Sequence, residues 1–179
     1  SRPTPWVPKV DPMTHLDPYD IKILQELQRD GTLSAEGLAA KVGLSKTPCW
    51  RRVLRLRKAG VITHTVALVD GAAIGIETTV FVHVKVEKHD SELFRAIDRA
   101  LRALPEVMEA YLMMGDADYV LRVEVPNVAA FERFMTDKLH RIKGIKETKS
   151  SPALRRVKYT TELPIELPTT PRRTRVLAP

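Results

Sequence analysis

The sequence predicts an α+β protein in which an N-terminal winged helix-turn-helix is joined to a ferredoxin-like βαββαβ domain. Residues 17–60 carry the signals of three short helices, with a tight turn before the third. Beyond residue 76, period-two and helical apolar spacings follow in the order strand, helix, strand, strand, helix, strand. The composition supports folded domains, because 44% of the 179 residues are hydrophobic and 28% are charged.

The first three helices are marked by the residues at their ends. Asp17 suits an N-cap, Pro18 suits the first helical position, and glycines follow the expected ends. The predicted boundaries run from Asp17 to Asp30, from Ser34 to Gly43, and from Ser45 to Gly60. The β-branched stretch that follows, Val61–Val69, predicts a strand.

The second half predicts four strands and two helices. Ser91 and Asn127 are the expected N-caps of the helices. The predicted strands are Thr79–Val86, Val107–Met113, Tyr119–Val125 and Ile145–Ser151. In this arrangement both helices cover one face of an antiparallel sheet. The other face carries Phe81, His83 and Val120, and is too apolar for solvent, so we expect it to pair with a second subunit.

These patterns divide the chain into five parts. We expect an extended arm or expression remnant at 1–15, a helix-turn-helix domain at 16–68, a linker at 69–75, an effector and oligomerisation domain at 76–159, and a tail at 160–179. No apolar stretch approaches the ~20 residues that cross a bilayer, and no secretory signal is apparent, so we expect a cytoplasmic protein that does not enter membranes.

The charge of the chain is unevenly spread. The net charge is +7, and the stretch from Lys46 to Lys58 contains six basic residues and no acidic one. Such a segment favours an anionic partner, with nucleic acid foremost, although partner helices and membrane surfaces also attract basic segments.

The third helix has two distinct sides. On a helical wheel Cys49, Val53 and Leu56 form the buried side, where Cys49 is an inert core thiol. The opposite side carries Thr47, Arg51, Leu54, Arg55 and Lys58. The first turn of a recognition helix meets base edges, and Arg51 can reach a guanine or a phosphate. Ser34 starts a helix whose N-terminus can bind a phosphate. The alternative is a solvated basic face, but the helix-turn-helix spacing favours DNA.

The segment from Met114 to Tyr119 combines a glycine, two carboxylates and an aromatic residue. A hairpin connection would explain this composition. The functional alternative is a small-molecule site, in which backbone N–H groups take a carboxylate and Asp116 or Asp118 accepts from an ammonium group. No catalytic constellation and no spacing of metal ligands accompanies it, so we expect neither an enzyme nor a metal or cofactor site.

Residues 16–62 contain a set of motifs that resembles the Lrp/AsnC (feast/famine) transcriptional regulators. These motifs are LDxxDxxIL, LAxxVGLS, TxCxxR and the closing GVI, and residues 76–159 resemble the family's RAM-type effector domain with GDADY at its glycine-acid loop. The resemblance covers residues 16–165. It implies DNA contacts by Ser45, Lys46, Thr47, Trp50, Arg51 and Arg55. It also implies dimers that assemble further into tetramers or octamers.

The resemblance further implies an amino acid effector bound between dimers. Its site would comprise Leu112, Met113, Met114, Gly115, Asp116, Asp118 and Tyr119, closed by Ser151 and Pro152. The segments TPCW and KYTTELPIE resemble a cysteine-responsive branch, whereas the two methionines would equally suit leucine or methionine. The proline-rich first 15 residues and the basic tail PRRTRV have no counterpart in the family.

The function expected from this resemblance is an amino-acid-responsive regulator that places its third helix in the major groove of a palindromic operator. Two other classes of protein remain as alternatives. A weakly specific DNA-packaging protein would lack preference for one site, and an enzyme with a fused sensor domain would need a catalytic constellation.

Overall fold

The computed structural model describes residues 16–165, which form two compact units. The first unit combines residues 16–67 with residues 158–165, and the second is Leu68–Val157. The predicted arm at 1–15 and the basic part of the tail lie outside the described residues. Residues 158–165 belong to the first unit because Ile165 packs against its core, so this unit contains chain from both halves of the sequence.

The first unit contains three helices, α1 (Pro18–Arg29), α2 (Ala35–Val42) and α3 (Lys46–Lys58). Asp17 caps α1 by accepting from the backbone N–H groups of Tyr19 and Asp20, while the Asp20 carboxylate accepts from the Asp17 N–H at 3.0 Å. Gly43 ends α2 with a φ of 73°, a conformation that suits glycine and makes the sharp turn into α3 possible.

The core of the first unit lies between these three helices. Cys49, Val53 and Leu56 of α3 are buried, as the helical wheel predicts, against side chains of α1 and α2. Burial raises the pKa of the Cys49 thiol, partly opposed by the charge of Arg52. The thiol therefore stays protonated, which suits a core residue.

The strand predicted at Val61–Val69 is not formed. After Ile62 this stretch is exposed, belongs to no helix or strand, and makes no backbone hydrogen bond to another described segment. β-branched residues favour an extended backbone, but a strand exists only where a second strand completes the ladder.

The second unit has the predicted ferredoxin-like order. Its elements are β1 (Thr78–Val86), α4 (Ser91–Ala103), β2 (Val107–Leu112), β3 (Tyr119–Val125), α5 (Val128–Asp137) and β4 (Ile145–Pro152). The antiparallel sheet has the order β2-β3-β1-β4. Asp90, rather than the predicted Ser91, caps α4, because the Asp90 carboxylate accepts the backbone N–H of Glu92.

The core of the second unit lies between the sheet and its helices. Val80, Val82 and Val84 of β1 face it together with alternate residues of β3, and Ile97 and Phe134 pack onto them from α4 and α5. The opposite face of the sheet is open and carries Phe81, His83 and Val120, as predicted. No helix within residues 16–165 is long and apolar enough to cross a membrane.

Candidate nucleic-acid interface and ligand loop

The exposed side of α3 is the candidate nucleic-acid interface. We name it the outer face of α3, formed by Thr47, Trp50, Arg51, Leu54 and Lys58, all of which are exposed. It exists because the apolar residues of α3 recur on the opposite side and anchor the helix to the core. Trp50 is 39% exposed, and the Arg57 guanidinium lies 5.6 Å from the centre of its ring.

The first turn of α3 lies beside α2. Ser45 occupies the N-cap position of α3 but makes no side-chain capping hydrogen bond. Lys46 is exposed and pairs with Glu36 of α2. That hydrogen bond lowers the pKa of the Glu36 carboxyl. Ser34, by contrast, uses its hydroxyl oxygen to cap α2, accepting from the Gly37 N–H at 3.0 Å.

Two arginines of α3 point toward α1, which the sequence analysis did not predict. Arg52 and Arg55 both donate to the carboxylate of Asp20, which is fully buried, and Arg52 also pairs with Asp17. Burial alone would raise the pKa of Asp20, but hydrogen bonds from Arg55, from the Asp17 N–H and from Arg52 outweigh it and hold the pKa below its usual range. This cluster fixes α1 to α3.

Arg55 therefore occupies a position that differs from the prediction. Its guanidinium is held by Asp20, although about half of the side chain remains exposed. Arg52 was absent from the predicted site. The sequence does carry a signal for the contact between Arg52 and α1. Asp17 and Asp20 at the start of α1 are three residues apart, and so are Arg52 and Arg55 on α3. Arg51 lies at the edge of this cluster, beside Pro48, and is turned outward.

The connection between β2 and β3 is the candidate ligand loop, which we define as Leu112–Asp116. All five residues are exposed, and Met114 is 98% exposed. The loop is closed by a hydrogen bond from the Met113 N–H to the Asp118 carbonyl at 2.8 Å. Gly115 has a φ of 128°, which favours glycine at the tip. Within residues 16–165 no group of three or more potential ligands could hold a metal ion.

Asp118 points toward β1 rather than into the loop. One carboxylate oxygen accepts from the Val86 N–H at 2.8 Å, and the other lies 2.8 Å from Nε2 of His89. The hydrogen bond from Val86, followed by the contact with His89, lowers the pKa of Asp118. Asp118 therefore anchors the base of the loop to the end of β1.

Tyr119 lies in the core and does not line the loop, contrary to the prediction. Its side chain is 2% exposed, and its hydroxyl donates to Asp98 of α4 at 2.9 Å. The cause is the alternation of side chains along β3, which directs the first residue of the strand toward the helices.

Ser151 and Pro152 also lie away from the loop of the same chain. Ser151 pairs with Phe81 and Pro152 with Val80, on the edge strand opposite β2. Two strands lie between these edges, so the separation is about 14 Å across the sheet alone. One chain therefore does not close the predicted effector site with these two residues.

Two protein-family models match this chain. Residues 16–63 match a winged helix-turn-helix DNA-binding domain, and residues 79–163 match the Lrp/AsnC ligand binding domain. The DNA-binding transcriptional activator DecR of Escherichia coli (strain K12) is 39% identical over 84% of this chain and 99% of its own length. The leucine-responsive regulatory protein of Haemophilus influenzae is 38% identical over 81% of this chain and 87% of its own.

Solved structures show the same fold. An AsnC family transcriptional regulator from Agrobacterium tumefaciens is similar with a TM-score of 0.80 and 44% identity, over 83% of this chain and 97% of that one. A transcriptional regulator from Neisseria meningitidis, solved as a complex with L-Met, is similar with a TM-score of 0.80 and 33% identity, over 84% and 97%. The chain therefore belongs to the Lrp/AsnC family of transcriptional regulators.

Proposed function

We propose that this chain is an amino-acid-responsive regulator that inserts α3 into the major groove of an operator. One observation carries the proposal, namely that Arg51 is exposed on the outer face of α3 while Cys49 on the opposite side is buried. Groove binding requires this arrangement, since side chains that read bases must project from a helix held rigidly from behind. The relatives named DecR and leucine-responsive regulatory protein support it.

The proposed DNA contacts follow from exposure. Ser45, Lys46 and Thr47 are exposed in the first turn of α3 and would meet base edges or phosphates, with Trp50 against the backbone. The N-terminus of α2 at Ser34 would face a phosphate. Arg55 would contact a phosphate only through the edge of its guanidinium that Asp20 does not occupy. A dimer would present two such helices to half-sites of a palindrome.

Arg51→Ala tests the recognition helix. The variant should lose about 1–3 kcal/mol of binding free energy for a duplex that the native protein has selected from a random library. Arg99→Ala, at an exposed position of α4, removes the same charge elsewhere and should bind as the native protein does. Fluorescence anisotropy at one fixed salt concentration measures both variants, because phosphate contacts make affinity depend on salt.

Two results would contradict this assignment. One is unchanged affinity of the Arg51→Ala variant for the selected duplex. The other is failure of the selected duplex to outcompete random DNA, since a regulator should favour its site ~10³-fold or more whereas a packaging protein would not.

We propose that the ligand loop binds the effector amino acid. Backbone N–H groups of the loop other than that of Met113, which donates to Asp118, would take the carboxylate, and the exposed Asp116 would accept from the ammonium group. Met113 and Met114 supply an apolar lining, and the relative solved with L-Met supports an amino acid ligand. Leucine, methionine and cysteine are the candidates, cysteine because of the resemblance to the cysteine-responsive branch.

The site requires more than one chain in this proposal. Because Ser151 and Pro152 of one chain lie at the far edge of its sheet, the copies that close the loop would come from another subunit. We propose that dimers form through the open sheet face and assemble further into tetramers or octamers, with the effector between dimers. An effector shifts this assembly only as far as its affinities for the assemblies differ.

A melting-temperature screen of the twenty amino acids tests the ligand loop. A ligand that binds only the folded protein at 100 times its Kd stabilises it by about 2.7 kcal/mol, so the effector should raise the melting temperature. Asp116→Asn should abolish that rise, because it removes the charge that faces the ammonium group. Asp137→Asn, an exposed carboxylate on α5, is the matched control and should keep the rise. An unchanged rise in the Asp116→Asn variant would place the effector elsewhere.

A further inference from the structure

Residues 158–165, which we name the C-terminal segment, contact α1 through Glu162, Leu163 and Ile165. The two run antiparallel, and three side chains of α1 make the contacts. The amide of Gln28 accepts from the Leu163 N–H at 2.7 Å and donates to the Leu163 carbonyl at 3.3 Å. Gln25 donates to the Ile165 carbonyl at 3.2 Å, and Arg29 pairs with Glu162 at 3.0 Å.

These contacts specify one register of an extended peptide. Gln28 satisfies both backbone groups of a single residue, as a neighbouring strand would. Pro164 restricts Leu163 to an extended conformation, so less conformational entropy is lost when the segment docks. Ile165 is half-buried and packs against the core of the first unit, which adds apolar contact to the polar ones.

We propose that α1 is a docking surface for the C-terminal segment, and that docking positions the recognition helix. The chain leaves the first unit at residue 67 and returns at residue 158, so the second unit is joined to it at both ends. The C-terminal end of α1 holds the returning segment, and its first turn holds Arg52 and Arg55 of α3 through Asp20. The second unit is therefore coupled to α3 by a second route besides residues 61–67, which runs through the C-terminal segment and its non-covalent contacts with α1.

Amide hydrogen exchange of the full-length protein tests the docking without DNA or effector. Ile165→Ala removes the half-buried side chain, and Gln28→Ala removes both bonds to Leu163. Each variant should raise exchange in α1 about tenfold while exchange in β1–β4 stays unchanged. Alanine favours helix more than glutamine does, so faster exchange in the Gln28→Ala variant cannot come from lost helix propensity.

Leu163→Ala is the matched control. Its side chain is 69% exposed and the α1 contacts use only its backbone, so exchange in α1 should remain native. The docking proposal is overturned if α1 exchange is unchanged in both test variants, or if Leu163→Ala raises it equally.

The proposal that docking positions α3 rests on the proposed function, and DNA binding tests it separately. Binding to the duplex selected by the native protein should weaken several-fold in the Ile165→Ala and Gln28→Ala variants, and stay native in the Leu163→Ala variant. Raised α1 exchange with unchanged affinity would refute positioning while leaving docking intact. If the native protein selected no duplex, the proposed function would fail, and the exchange experiment would still decide the docking.

Discussion

Asp20 shows how one residue can shape a binding helix without facing the ligand. Its carboxylate is fully buried, and its cost of desolvation is offset by two guanidinium groups and a backbone N–H. The same contacts draw Arg52 and Arg55 toward α1. Arg51, which lies beside this cluster on α3, is instead turned outward. Asp20 therefore limits the part of Arg52 and Arg55 that can contact another molecule.

Asp20→Asn should destabilise the first unit by about 2 kcal/mol at neutral pH, because two arginines lose their buried counter-charge. Asp17→Asn is the matched control. It shares Arg52 as a partner, but its carboxylate is partly exposed, and asparagine is an equally good N-cap, so its cost should stay below about 1 kcal/mol. Urea denaturation of the full chain measures both, and equal losses would contradict the special role of Asp20.

The pH dependence of this effect has a defined sign. The pKa of Asp20 is lowered in the folded protein, so its contribution is fully present above the unfolded value of about 3.9 and is lost as the pH falls toward the folded value. The stability difference between the native protein and Asp20→Asn should therefore narrow below about pH 4. A difference that grew on acidification would reverse this interpretation.

At the scale of elements, the turn between α5 and β4 depends on a glycine. Gly144 has a φ of 90°, and a Cβ there would lie 3.0 Å from Cγ of Leu93 and closer still to its methyl carbons. Leu93 packs against the core of the second unit, so it cannot move aside without losing contacts.

Gly144→Ala should therefore cost about 2–3 kcal/mol of unfolding free energy in the second unit, from backbone strain and the clash with Leu93. Gly75→Ala has a similar φ of 77° but meets no atom within 4 Å, so it should cost only the strain, about 1 kcal/mol. Amide exchange of β1 and β3 under denaturant measures both. Equal losses of unfolding free energy in the two variants would show that Leu93 moves aside without cost.

The elements show which features a sequence specifies locally. Capping residues and the alternation of apolar side chains predicted the helices and the four strands, because these signals act within a few residues. The prediction of a strand at Val61–Val69 was wrong because strand pairing depends on a second chain segment, which β-strand propensity does not reveal.

The candidate site was predictable only in part, for a related reason. The buried side of α3 follows from helical spacing alone. The direction in which Arg55 points depends on Asp20, which is 35 residues away in sequence. The position of Tyr119 depends on where β3 begins, since a shift of one residue exchanges the two faces of a strand. Ser151 is separated from the ligand loop because β4 and β2 lie at opposite edges of the sheet, which the sequence does not show.

At the scale of the whole molecule, each unit has a core of its own. The two clusters of buried side chains share no residue, and Leu38 and Ile97 are fully buried members of the first and second cores. We therefore expect the two units to lose stability separately.

Leu38→Ala and Ile97→Ala form a matched pair that tests this independence. Each should cost its own unit about 3 kcal/mol. Leu38→Ala should raise amide exchange in α1–α3 and weaken DNA binding while β1–β4 keep native protection, and Ile97→Ala should do the reverse. Loss of protection in both units from either change would show that they unfold as one.

The return of the chain to α1 has a consequence for the order of synthesis. A ribosome delivers α1, α2 and α3 early, but residues 158–165 emerge only after every strand of the sheet has been translated. A nascent chain would therefore complete the second unit before it completes the first. A product that terminated just after β4 would therefore keep every strand of the second unit but lack the segment that completes the first.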